Sequence, residues 1–79
     1  MITSDQIRAA RALLRWTADD LANTSKVGIA TIRRFEKQDG VPAGQVRVLD
    51  SLKLAFENAG VEFLGSLENG QGVRLKPKI

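Results

Sequence analysis

Residues 17–37 read TADDLANTSKVGIATIRRFEK, a run in which one short helical pattern stops and a second begins. Thr17 is placed to accept a hydrogen bond from a free N–H of a first turn, and Asp19 and Asp20 follow where the helix dipole favours negative charge. A helix is therefore predicted to start at Ala18, with Leu21 and Ala22 facing inward. Asn23, Thr24 and Ser25 then compete for backbone hydrogen bonds, which weakens a helix interior and stops this one. After a turn, Gly28 opens a second helix, predicted over 28–38. At about 100° per residue, Ile29 and Phe35 fall about 60° to either side of Ile32 and complete its inner side. Ala30, Arg33, Arg34 and Lys37 fall on the opposite side. The second half of the segment carries Lys26, Arg33, Arg34 and Lys37 against the single acid Glu36. A small residue among long cations suits close approach to a polyanion.

Upstream, Thr3, Ser4 or Asp5 caps a helix predicted to run to about Leu14. Ile7, Ala10 and Leu14 form its apolar stripe, with Leu13 beside them, and Arg8, Arg11 and Arg15 form another stripe. Trp16, between the first two helices, fills the small core in preference to stacking on a base. Downstream, Asp39-Gly40-Val41-Pro42 is a turn, because Val41 before proline is pushed out of the helical region. A fourth helix is expected to begin at 43–45, without a strong side-chain cap, and to end at Ala59 before Gly60. Its apolar residues make two stripes, Val46, Leu49, Phe56 and Val48, Leu52, Ala55, Ala59. The second is expected to exceed what the helical unit buries. The period then changes: 61–64 and 73–76 read as two strands around a loose loop at 65–72. A lone two-stranded hairpin is marginal in water, so it must lean on the fourth helix, on a second copy of itself, or on both. Residues 76–78 are expected to fray.

The runs ARALLRWTADDLA, KVGIATIRRFE, GVP and QVRVLDSLKLAF, in this order and spacing, resemble the XRE/Cro-type helix-turn-helix domains of phage repressors and small bacterial regulators. The resemblance covers roughly residues 5–60. It implies a mostly α, four- to five-helix, phage-repressor-like domain over 1–60, with a short C-terminal β-hairpin over 61–79 that serves dimerisation. It also implies that Arg11 pairs with Glu36 to steady the recognition helix, and that Ile29, Ala30, Arg33 and Arg34 occupy base-reading places. The chain departs from the family at Lys26, where glycine is usual in the turn, and at Ala18, where a polar residue often touches DNA. Lys26 is expected to be strained at a left-handed position, at a cost on the order of 1 kcal/mol.

The chemistry of these residues is compatible with that implication. Arg33 and Arg34 suit bidentate reading of guanine O6 and N7, Ile29 and Ala30 suit a thymine methyl, and Lys26, Lys37 and Thr17 suit phosphates. Ile29 is equally suited to core packing, and Arg34 to a pair with Asp19 or Asp20. The charge agrees: residues 1–37 hold seven cations and four acids, a net +3, whereas residues 38–79 hold five of each and cancel. The whole excess lies in the half with the paired helices, the footprint of a phosphate-binding surface.

At 79 residues the chain makes one domain with a modest core, well served by oligomerisation. It has neither cysteine nor histidine, which removes disulfides, thiolate metal sites and histidine acid–base chemistry. No cofactor or metal is expected. Its serines have no base beside them and its carboxylates are scattered, so an enzyme is not expected. No apolar run approaches the roughly 20 residues that span a bilayer, and no leader pattern opens the chain, so a cytoplasmic protein is expected. The leading function is a dimeric, sequence-specific DNA-binding regulator of transcription. The alternative is a protein-interaction module on the same fold, such as the antitoxin of a toxin–antitoxin pair, with a small protein partner.

Overall fold

The computed structural model describes residues 2–66 and 68–77. Among them are four helices, α1 (Ser4–Leu14), α2 (Ala18–Ser25), α3 (Ile29–Glu36) and α4 (Val46–Asn58), followed by the antiparallel strands β1 (Val61–Ser66) and β2 (Gly70–Leu75).

Side-chain capping sets the first two helices. Thr3 accepts from the Gln6 N–H while the Gln6 side chain accepts from the Thr3 N–H, and Thr17 and Asp20 make the same reciprocal pair. Each pair satisfies two amides that a helix start leaves open. Both helices end on a left-handed non-glycine residue, Arg15 at φ 57° and Lys26 at φ 65°. The turn after α2 is braced by Ser25, whose hydroxyl donates to the Leu21 carbonyl at 2.6 Å and accepts from the Val27 N–H at 3.2 Å. α3 ends at Glu36, two residues short of the predicted end. Lys37 and Gln38 donate to carbonyls three residues back, at 3.3 and 3.2 Å, so the chain tightens there into a 3₁₀-type turn. α4 starts at Val46 with no side-chain cap bond at Gln45.

The core gathers Ile7 and Ala10 of α1, Leu21 of α2, Ile32 and Phe35 of α3, Leu49, Leu52, Ala55 and Phe56 of α4, and Val61 of β1. Trp16 packs against this core, its ring stacked on Phe56 with 5.8 Å between centroids, and Phe63 meets the same Phe56 ring edge-on at 6.0 Å. The expectation of a spare apolar stripe on α4 is corrected. α4 packs against both α2 and β1, so Leu52 and Ala55 are buried beside Leu49 and Phe56, and Val48 packs against them. The large apolar α4 side chains left outside are Val46, at 55% exposure, and Leu54, at 57%.

The hairpin also differs from the expected loose loop. Its register runs from Val61 opposite Leu75 to Ser66 opposite Gly70, so most of 65–72 is paired strand. Gly65 makes this possible: at φ 76°, a Cβ there would lie 1.8 Å from the Gly70 carbonyl oxygen, so only glycine lets the strands close. The Lys76 N–H donates to the Gly60 carbonyl at 2.8 Å and extends the pairing instead of fraying; Lys78 lies outside the described residues. The sheet packs on α1 and α4, and Val61 and Phe63 join the helical core. Gln6 fastens it further, its amide donating to the carbonyls of Leu64 and Gly72 at 3.3 and 3.0 Å. No described helix is long and apolar enough to cross a membrane.

Candidate nucleic-acid interface

α2 and α3 are joined by three residues, Lys26–Gly28, and pack on each other, with Leu21 of α2 and Ile32 of α3 both buried in the common core. Because Ile32 and Phe35 point inward, the far side of α3 is fixed: Ala30, Arg33, Arg34 and Lys37 are exposed, and Ile29 is half-buried at the flank. Ile29 thus presents part of its side chain outward. Ala30 and Lys37 are central on this face, with Arg33 and Arg34 about 50° to either side.

The polar partners of these residues decide what the face can do. Among the described residues, the ion pairs are Arg8–Asp5, Arg11–Glu36 and Arg74–Glu62. Lys26, Arg33, Arg34 and Lys37 enter none of them, and Arg34 does not pair with Asp19 or Asp20. Its guanidinium lies 5.5 Å from the centroid of the Phe35 ring, close enough for a cation–π contact. That ring is held in turn: a Cβ on Gly44 would come within 2.8 Å of Phe35 Cζ, so the backbone at 44 lies directly against the ring.

Glu36, the acid of α3, is removed from the charge balance of this face. Arg11 Nε donates to Glu36 Oε2 at 2.7 Å and Arg11 Nη2 to Glu36 Oε1 at 2.9 Å, with the two side chains 23% and 12% exposed. Arg11 Nη1 also donates to the Trp16 carbonyl at 3.0 Å. The hydrogen bond to Glu36 raises the pKa of Arg11 above its ordinary value, against the opposing effect of burial.

Two α1 residues that sequence reasoning did not assign to this neighbourhood complete the support. The buried Ser4 hydroxyl donates to the Phe35 carbonyl at 2.7 Å, and Arg8 donates to the Glu36 carbonyl. Ser4, Arg8 and Arg11 therefore hold the last turn of α3 from one side of α1. Their spacing of four and three residues was visible; that their partner would be the carbonyl end of α3 was not. Cations and donors at that end suit its partial negative charge.

The remaining phosphate candidates lie on α2 and its turn. Lys26 is exposed. Thr17 is exposed too, but its N–H donates to Asp20 Oδ2 at 2.9 Å and its oxygen accepts from the Asp20 N–H at 3.0 Å, which leaves only the hydroxyl hydrogen for a phosphate. With Asp19 and Asp20 both exposed in the first turn, that end of α2 is the less electropositive part of the surface. No protein-family model matches the chain, and no curated protein matches it in sequence.

Proposed function

We propose that this chain is a small DNA-binding regulator of transcription of the XRE/Cro helix-turn-helix kind, with α2, the turn at Lys26–Gly28 and α3 as its reading unit. α3 enters the major groove, Arg33 and Arg34 with Ile29 and Ala30 meet base edges, and Lys26, Lys37 and Thr17 meet phosphates. The observation that carries the reading is the charge arrangement. Four exposed cations free of the described ion pairs line one side of the turn and α3, while the nearby acid Glu36 is held by Arg11. Cations without an acidic partner on an exposed helix face suit a polyanion. A prokaryotic or phage setting and a repressor-like role are what the same resemblance implies.

A homodimer fits this function, because two recognition helices spaced by roughly 34 Å read half-sites about one helical turn apart. The exposed Leu64 and Leu75 of the hairpin and Leu54 of α4 offer it apolar area. The same exposed leucines favour the second reading, an interaction module such as an antitoxin that binds a small protein partner.

Fluorescence titration of the full chain with DNA flanking its own gene, set against random duplex at moderate salt, tests the proposal. Regulator function requires clear preference for one of the flanking sequences. Equal affinity for all duplexes promotes the interaction module instead, and sedimentation showing a monomer at high concentration removes the dimer.

A further inference from the structure

We propose that α3 recognises guanine together with a pyrimidine C5-methyl group, and offers no amide or carboxylate that would single out adenine or unmethylated cytosine. This rests on the DNA-binding reading above and narrows its ligand.

Every polar side-chain atom that α3 presents squarely outward is a donor, since Arg33, Arg34 and Lys37 carry no acceptor. The carboxylate and amide acceptors nearby are engaged within the protein. Both oxygens of Glu36 are taken by Arg11, and Gln38 Oε1 accepts from the Ala43 N–H at 2.8 Å. Thr31, half-buried like Ile29 and on the opposite flank beside Arg34, adds one hydroxyl, which serves as donor or acceptor and so singles out no base. Adenine offers a donor and an acceptor side by side and calls for an amide, and cytosine offers an N4 donor and calls for a carboxylate. Neither group is available on this face. Guanine offers two acceptors, which a guanidinium meets with two donors.

The apolar half of the site is placed beside one arginine. Ile29 lies about 40° around the helix from Arg33, and Ala30 lies between the two arginines. An aliphatic side chain in contact with a pyrimidine methyl is indifferent to whether the neighbouring exocyclic group is the O4 of thymine or the N4 of cytosine. It follows that 5-methylcytosine can stand in for thymine at that position, whereas cytosine and uracil cannot.

The test is selection of binding sites from random duplex with the full chain, followed by base-analogue replacement in the selected site and anisotropy titration. Replacing a contacted guanine with 7-deazaguanine should weaken binding about tenfold, and the penalty should vanish in Arg33→Ala or Arg34→Ala. Uracil in place of the contacted thymine should weaken binding several-fold, and a 5-methylcytosine·guanine pair in place of the thymine·adenine pair should bind better than the unmethylated pair. Replacing adenines with 7-deazaadenine should change nothing. A 7-deazaadenine penalty as large as the guanine one, a guanine penalty that persists in both arginine variants, or indifference to uracil overturns the inference while leaving DNA binding intact. Selection that enriches no sequence overturns the DNA-binding reading, and the narrower claim with it.

Discussion

Arg11 and Glu36 meet in two parallel hydrogen bonds, of 2.7 and 2.9 Å, that tie the last turn of α1 to the last turn of α3. The contact both fixes the helix and cancels the acid beside its cationic face. Glu36→Ala leaves a partly buried guanidinium without its carboxylate and should lower stability by on the order of 1 to 3 kcal/mol. Thermal melting checks this, and an unchanged midpoint would argue that the pair contributes nothing. The raised Arg11 pKa adds no pH dependence near neutrality. A base with a raised folded-state pKa keeps its contribution below the unfolded value and loses it only above, and an arginine titrates far above neutrality in either state.

Lys26 and Arg15 occupy the same backbone position at the ends of two helices, both left-handed and both without the glycine that favours it. Either residue changed to glycine should stabilise the protein, by about 0.5 to 1 kcal/mol after glycine's greater unfolded entropy offsets part of the relieved strain. The two variants part company in binding. Lys26→Gly should melt higher yet bind all DNA sequences more weakly, whereas Arg15→Gly should melt higher with DNA affinity unchanged. Equal losses of affinity in both would remove Lys26 from the phosphate contacts.

The hairpin closes the core. Val61 is fully buried, Phe63 covers the Phe56 ring, and Gln6 of α1 donates to carbonyls on both strands. A chain ending at Gly60 should therefore lose cooperative folding as well as any assembly, because Phe56 and the α1 flank are uncovered together. Circular dichroism against temperature checks this, and a cooperatively melting 1–60 fragment would contradict it. Phe63→Ala, which removes the edge contact alone, should cost roughly 2 to 3 kcal/mol.

What was legible in the sequence was local chemistry. Thr17 and Asp20 announce the start of α2, Asn23-Thr24-Ser25 its end, and the 3.6-residue period the inward placement of Ile32 and Phe35; all lie within one or two turns of chain. What was not legible depended on partners distant in sequence. Leu52 and Ala55 seemed spare because nothing in α4 says that α2 and β1 cover two of its sides. Gly65 looked like loop because its close approach to the Gly70 backbone exists only once the strands pair. Arg8 and Ser4 gave no sign of their role, since backbone carbonyls at the end of α3 carry no residue signature.

The outward side of α3 carries two kinds of cation, and they should fail differently. Arginine can hold guanine O6 and N7 together, so Arg33→Ala or Arg34→Ala should lose roughly 1 to 3 kcal/mol of discrimination at one position of each half-site. Arg34 has a specific competitor in the Phe35 ring, 5.5 Å from its guanidinium. If that contact persists on DNA, Arg34 turns toward the backbone and Arg33 alone shows the base-specific loss. Lys37 is a compact charge near the C-terminal end of the helix, suited to a phosphate. Lys37→Ala should therefore weaken preferred and random duplexes alike and reduce the slope of log affinity against log salt by about one. Titrations of the three variants at several salt concentrations separate these behaviours. A base-specific loss in Lys37→Ala together with a uniform loss in both arginine variants would reverse the assignment and rotate the helix in the groove.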